Sequence, residues 1–470
     1  MAGPGRRRSR LLARPPIGDG DPLAAQLVRH LRRLIVDGTI GPGARLPGQR
    51  TLARDWRVSR NTILTVLQQL ESEGLITTRQ RSGVFVCEGA TGLAIPPRGQ
   101  EIDAGLTGLQ PLDLGAPALE MFPMATWRRL QASRWSRMPA AALGDGPPGG
   151  LPELRAVIAD RLAALRGLRC RPEQIFMTSN VQVAISLAAR AAAAPGQGAW
   201  VEDPGYGRAR QALATAGLRV IPTPVDLEGF DVAGARANGE ARLAVVTPAR
   251  QFPTGVAMSP TRRAALLDWA NQTGGWIVED DFESEFWFES PPPSALAAEP
   301  GGAERVIHVS TFSTTLFPGL RIAYLVVPEA LIDRLMAAAS LGDRQIGAPT
   351  QLVLLDFIEQ GHLAAHVRAC RDLYGVRRAA LAEALQARFD PAQVQAPTVG
   401  LHLVLRLRPG QDDRRLRDAA GARGVAVSAF SDQALLPTAP GLYLGFAPYT
   451  PAQIVAAVDG LARVAGELAP

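Results

Sequence analysis

No lysine occurs anywhere in the 470 residues, so all 50 basic side chains are arginines. A compositional preference for arginine in an alanine- and glycine-rich chain accounts for most of this. It nonetheless excludes any chemistry that needs a lysine amine, because a guanidinium stays protonated to a pKa above ~12. Cysteine is nearly as scarce. Cys87, Cys170 and Cys370 stand alone with no Cys-x-x-Cys pair, which argues against a disulfide framework or a cysteine zinc site. Long apolar runs are missing as well. The longest uncharged stretch, 433–458, is interrupted by Pro437, Pro440, Pro448 and Pro451, so no membrane span is expected. Arg6-Arg7-Arg8 runs on to Arg14-Pro15-Pro16 instead of an apolar core, so no secretory leader is expected either. A cytoplasmic, soluble location follows as the expectation. With 47% hydrophobic and 20% charged residues the chain is an ordinary globular one. At ~100–200 residues per domain it holds two to four domains.

The charge is unevenly placed. The first 90 residues contain 15 arginines against seven acidic residues, whereas the remainder contains 35 against 37. The whole excess of +6 therefore belongs to the first fifth of the chain. A small basic module on a large, nearly neutral body suggests a head that binds a polyanion. Charge alone leaves open a basic face that is merely solvated.

Leu23, Leu27, Leu31 and Leu34/Ile35 recur at helical spacing and predict an amphipathic helix over 22–36. Gly38, Gly41-Pro42-Gly43 and Pro47 mark a loop. A short helix over 50–55 and a turn through Trp56-Arg57-Val58 come next. Ser59 is a good N-cap for a third helix whose apolar face is Ile63, Val66, Leu67 and Leu70, closed by Gly74. Two short strands, 75–78 and 84–86, flank the turn Arg79-Gln80-Arg81-Ser82-Gly83. Helix, helix, turn, helix and hairpin make a winged helix-turn-helix. In that arrangement Ser59, Arg60, Asn61 and Thr62 face a DNA major groove, while Arg50, Arg79, Arg81 and the wing around Gly83 hold the backbone. A helical packing module with arginines on its wet face is the bland alternative; it explains the apolar spacing but not basic residues at all three DNA-facing points.

These residues resemble the GntR-type winged helix. The resemblance rests on Gly43-Ala44-Arg45-Leu46-Pro47-Gly48-Gln49-Arg50, Leu52-Ala53, Val58-Ser59-Arg60-Asn61-Thr62, Leu70-Glu71-Ser72-Glu73-Gly74-Leu75 and Ser82-Gly83-Val84-Phe85-Val86. It implies double-stranded DNA as a partner.

The stretch 89–112 carries Gly89, Gly92, Pro96-Pro97, Gly99, Gly105 and Gly108 without a sustained apolar period, and reads as a tether. The chain then divides into a basic, disordered tail at 1–20, a head at 21–88, the linker 89–112 and a body at 113–470. In the body, buried-type runs at 199–201, 243–247, 276–279 and 306–309 alternate with helical stretches at 151–166, 208–216 and 260–272. That alternation predicts an α/β body, with helices covering a largely parallel sheet and ligands beyond the strands' carboxyl ends.

Those ends read Glu202-Asp203-Pro204-Gly205-Tyr206, Gln251-Phe252-Pro253-Thr254-Gly255, Glu279-Asp280-Asp281 and Thr311-Phe312-Ser313, the last running on to Leu316-Phe317-Pro318-Gly319-Leu320-Arg321. They resemble a fold-type I aminotransferase, and the whole chain is similar to the MocR-type regulators, which join a GntR head to such a body. The resemblance implies a smaller C-terminal subdomain, a homodimer and a pocket for pyridoxal 5′-phosphate (PLP). It places Asp280 at a pyridinium nitrogen, Tyr206 on a ring face, and Thr311, Ser313 and Arg321 at a phosphate. A retained structural ion pair is the alternative for Asp280 and Arg321, and a packing aromatic the alternative for Tyr206.

The pocket also departs from the family. Thr314 stands where relatives carry the lysine that forms a Schiff base with PLP, and no other lysine can replace it. Phe282 replaces a tyrosine, Arg250 a histidine and Asn180 a glycine; Asp145 and Tyr443 fall where relatives have a tyrosine and a carboxylate-binding arginine. No covalent cofactor, no metal and no transamination are therefore expected. The expectation is a DNA-binding regulator with a catalytically dead body, controlled by a small anionic effector or by none. One rival is a regulator holding PLP, or a PLP–amino acid adduct, noncovalently. Another is an aminotransferase that carries a DNA-binding head.

Overall fold

The computed structural model of the chain describes residues 22–79, 82–88, 110–114, 116–339 and 346–468. The basic tail, Arg81 and most of the linker lie outside these residues. The chain separates into two compact units, Met1–Gly108 and Leu109–Pro470.

In the first unit, α1 (Leu23–Val36), α2 (Gln49–Trp56) and α3 (Arg60–Ser72) precede a hairpin of β1 (Ile76–Arg79) and β2 (Gly83–Val86). The helical periodicity has a direct result: α1 buries Leu27, Val28, Leu31 and Ile35 against Leu52, Trp56, Ile63, Val66 and Leu70. Each such side chain contributes ~1.5–3 kcal/mol when fully buried. Trp56, expected in the turn, is the last residue of α2 and is wholly buried. The turn starts instead at Arg57, which adopts a left-handed conformation with φ 54°. Two acids tie the ends together. Glu73 accepts both Arg32 Nε at 2.9 Å and Arg32 Nη2 at 2.5 Å, and Glu71 accepts the Thr78 N–H at 2.7 Å. Residues 43–46 lie along β2 as a further extended segment, with Leu46 N–H donating to Val84 O at 2.8 Å and Val86 N–H to Ala44 O at 3.0 Å.

The second unit is α/β. Its main sheet has eight strands: β3 (Ile175–Thr178), β4 (Gly198–Asp203), β5 (Arg219–Asp226), β6 (Gly229–Phe230), β7 (Leu243–Val246), β8 (Trp276–Asp280), β9 (Val306–Thr311) and β10 (Ala323–Val326), in the spatial order β3-β10-β9-β8-β7-β4-β5-β6. The run from β9 through β8, β7 and β4 to β5 is parallel, and β10 is antiparallel to both of its neighbours. These strands are apolar on both faces because helices cover both sides. A second, four-stranded antiparallel sheet lies in the C-terminal part, between residues 394 and 445.

Two differences from expectation matter. The strands expected to stop at 201, 279 and 309 run on to Asp203, Asp280 and Thr311, so polar residues sit buried inside the sheet's carboxyl edge. And the last residues assigned to the linker belong to the body. Leu112 is wholly buried, its carbonyl accepts Gly445 N–H at 2.8 Å, and Pro111 O accepts Ala426 N–H at 3.0 Å. The glycine-rich composition of 89–108 hid the point at which the chain docks.

Candidate functional site

On the head, α3 begins with an extended Ser59 whose Oγ accepts the Thr62 N–H at 3.0 Å and lies 2.8 Å from Thr62 Oγ1. These two side chains are thus occupied in capping the helix. Arg60 and Asn61 in the first turn are exposed, as are Arg50 at the start of α2 and Arg79 at the end of β1. Arg79 stacks its guanidinium 4.8 Å from the Phe85 ring centroid. Gly83, at φ 108°, leaves room for Arg45: a Cβ there would sit 2.9 Å from Arg45 Nε. Sequence reasoning did not single out Arg45, because its place on the wing depends on pairing with Phe85, forty residues away.

On the body, five carboxylates crowd the end of β8 and the loop after it, and four are spoken for. Glu279 receives His308 Nδ1 at 3.1 Å and the N–H groups of Leu296 and Ala297 at 2.8 and 3.3 Å. Against the cost of burial, the hydrogen bond and charge of Glu279 hold the His308 imidazole above its usual pKa. Asp281 pairs with Arg166 Nε at 2.8 Å, Glu283 with Arg250 Nη1 at 3.1 Å, and Glu285 with Arg161 Nη2 at 2.6 Å. Asp280 is the exception. It is buried, and its Oδ1 has no hydrogen-bond partner. Burial first, then the charges of Asp281 and Glu202, push its carboxyl up to about 7. Glu202 is also pushed up to about 7 by burial, although Thr247 Oγ1 donates to it at 2.6 Å and Gln251 Nε2 at 3.2 Å.

Arg250 explains part of the divergence. It is wholly buried, bonded to Glu283 and to His402 O at 3.1 Å, with its guanidinium carbon 5.9 Å from the Phe282 ring centroid. Burial lowers its pKa to about 10. Gly400 makes the space: at φ 92°, a Cβ there would lie 2.4 Å from Arg250 Cζ. Phe252 joins the aromatics around it, meeting Tyr206, Phe282 and Tyr443 edge-on with centroids 6.0, 5.9 and 5.4 Å away. Tyr443, on the strand Gly441–Gly445 of the second sheet, is buried and accepts Gln433 Nε2 at 3.1 Å.

A cavity of about 280 Å³ opens beside these groups, lined by Tyr206, Arg208, Glu283, Ser313 and Thr314 among others. The hydroxyl of Tyr206 accepts Gln182 Nε2 from the first turn of the helix Val181–Ala192. Asn180 does not leave that helix end open as a glycine would; its Oδ1 accepts the Val183 N–H at 2.9 Å. The Thr311 hydroxyl donates to Ile322 O at 3.1 Å and accepts the Ser313 N–H at 3.0 Å, so its hydrogen shapes this turn and is not free for a phosphate. Arg321 is exposed at φ 54° and makes no ion pair with any described residue. With Asp280 equally unpaired, the structural ion pair weighed for these two residues does not exist among the described residues. His366 bonds the Thr315 carbonyl at 3.0 Å. No cluster of metal-ligating side chains occurs among the described residues.

The family of bacterial regulatory proteins known as gntR matches residues 23–86, and the family aminotransferase class I and II matches residues 130–459. Over 94% of its length the chain is 33% identical to the probable rhizopine catabolism regulatory protein MocR of Rhizobium meliloti, 93% of which is covered. The chain belongs to the MocR-type regulators. The HTH-type pyridoxine biosynthesis transcriptional regulator PdxR of Corynebacterium glutamicum is 31% identical over 87% of this chain and 88% of its own. Among solved structures, a kynurenine aminotransferase from Pyrococcus horikoshii superposes with a TM-score of 0.70 at 26% identity, covering 77% of this chain and 92% of that one. In this MocR-type chain the sequence marked Glu202 only as part of a strand end and did not mark Arg208. Arg208 is an exposed cation at the cavity without a partner among the described residues. Its signal was only two positions beyond Tyr206.

Proposed function

We propose that this MocR-type chain is a sequence-specific DNA-binding transcriptional regulator whose body senses PLP, or an anion of that shape, without catalysing transamination. The observation that carries the reading is Asp280: a buried carboxylate with an open oxygen and a raised pKa invites a protonated ring nitrogen. The residues present fit such a ring. Tyr206 lines both the cavity and the smaller pocket that holds Asp280, while the Ser313 hydroxyl at the cavity and the exposed Arg321 have no partner among the described residues and are suited to a phosphate. When bound, PLP supplies a cationic pyridinium and a phosphate dianion. Thr314, which lines the cavity, takes the place of the family lysine in this reading, and it has no amine to join the ligand or to carry a proton to and from it. Phe282 presents hydrocarbon in place of a hydroxyl. The unpaired Arg208 is suited to a second anionic group. The ligand is then held noncovalently, and it controls DNA binding only as far as it prefers one arrangement of a homodimer over another.

Titration of stripped protein with PLP, read by calorimetry and absorbance and followed by borohydride treatment and mass spectrometry, tests this reading. Saturable binding without a covalent adduct is expected, and Asp280→Asn is expected to abolish it. No binding, or a borohydride-stable adduct on a side chain, would overturn the effector assignment. Multiple turnovers of an amino acid with a keto acid would overturn the non-enzymatic reading.

A further inference from the structure

On α3, Ile63, Val66, Leu67 and Leu70 point into the head's core, at 0–5% exposure. The opposite face carries Arg60, Asn61, Leu64, Thr65 and Gln68, all exposed. Four of these are polar. Leu64 is not, yet it keeps 40% of its surface in water. It lies one turn beyond Arg60 and one turn before Gln68, so polar residues border it along its own row. Its neighbour Thr65 bonds back to Asn61 O at 3.1 Å and leaves the Asn61 amide free. The Asn61 and Gln68 side chains have no hydrogen-bond partner among the described residues.

Leu64 is the one apolar side chain on this exposed face of α3. Apolar surface left in water is regained only against another apolar surface. In the DNA-binding reading the head's occupant is a polyanion, which its arginine excess favours. In the major groove of a duplex, the apolar group on offer is the C5 methyl of thymine, and free carboxamides match adenine N6 and N7. We infer that Leu64 is a specificity-determining residue that packs on a thymine methyl in each half-site, between A·T pairs read by Asn61 and Gln68. The inference rests on the DNA-binding reading of the head and deepens it to the base that is read.

The test uses the full-length protein and duplexes that it enriches from a random-sequence library. Each thymine of the enriched site is then replaced in turn by deoxyuridine, which removes one methyl and nothing else. One position per half-site is expected to weaken wild-type binding about fourfold, the worth of one buried methyl group. The same replacement should leave Leu64→Ala and Leu64→Gln unaffected, because the methyl has lost its partner. Both variants change an exposed position, and thermal melting checks that they fold. Enrichment of a site with no methyl-dependent thymine, or an equal loss in the variants, overturns the inference while DNA reading stands. A library from which no site is enriched overturns the DNA-reading head and the inference with it.

Discussion

The arginines at the head's DNA-facing points and those in the body's core serve opposite purposes. In the head, Arg45, Arg50, Arg57, Arg60 and Arg79 are exposed, and none forms an ion pair with a described residue. In the body, Arg166 and Arg250 are buried in salt bridges to Asp281 and Glu283, and Arg161 and Arg263 hold Glu285 and Glu299. Exposed charges act outward through their long-range field, whereas buried ones are structural only while their partners remain. A chain without lysine makes the contrast sharp, since every cation in either role is an arginine. Residue type alone therefore distinguishes nothing; the nearby carboxylates decide.

The largest expected effect breaks the body's side of this contrast. Arg250→Ala leaves Glu283 a buried carboxylate without its cation, held only by the Leu401 N–H at 2.9 Å, which costs about 3–5 kcal/mol of unfolding free energy. Urea unfolding measures it, and a loss below ~1 kcal/mol would mean that the pair is not structural. Gly400→Ala should also destabilise the wild type, because its Cβ would meet the guanidinium, and part of that penalty should vanish when Arg250 is already alanine.

Next in size is Asp280, the one carboxylate of the Glu279–Glu285 run without a partner among the described residues. In the unfolded chain Asp280 ionises near ~3.9, but in the fold only at about 7. As pH rises between those values the unfolded state sheds the proton first, so stability falls across the window and the full cost applies above pH 7. Asp280→Asn removes that cost. The variant should be more stable than wild type by about 2–4 kcal/mol at pH 8, with the gain vanishing near pH 4. Urea titrations at both values check this, and a pH-independent difference would refute it. Glu202 is also pushed up to about 7 and its charge bears on Asp280, so Glu202→Gln, alone and with Asp280→Asn, separates the two contributions. A residue that destabilises the empty protein yet is needed by a ligand is the signature of a binding site.

On the head's side, Arg60→Ala should leave stability within ~0.5 kcal/mol but weaken an enriched site about 100-fold. Fluorescence anisotropy gives the affinity. Wild-type binding would move the reading surface away from α3.

Much of this architecture was legible locally. The core positions of α1 and α3 follow from apolar spacing, and Ser59 from its capping chemistry. The parallel body followed from alternating runs, and its pocket edge from the polar residues that end them. What stayed hidden was pairing over distance. The run from Glu279 to Glu285 offers five carboxylates in seven residues, and nothing nearby says which will stay unpaired. Their partners Arg161 and Arg166 come from a helix more than a hundred residues earlier, and His308 from the next strand. Leu112 was missed for a similar reason, since its burial depends on Gly445.

The smallest effect tests a residue that the same long-range blindness concealed. Arg45 reaches the wing through pairing beside Phe85, and its guanidinium lies over Gly83. We predict that from there it meets a phosphate and not a base edge. Arg45→Ala should therefore weaken all duplexes alike, about threefold at moderate salt, and reduce the slope of log affinity against log salt by ~0.9. Gly83→Ala should do part of the same work without removing a charge, because its methyl would displace Arg45 Nε from 2.9 Å. It should thus lower affinity while leaving the salt slope nearer to wild type. A loss confined to the enriched site would instead make Arg45 a base-reading residue and extend the reading surface from α3 onto the wing.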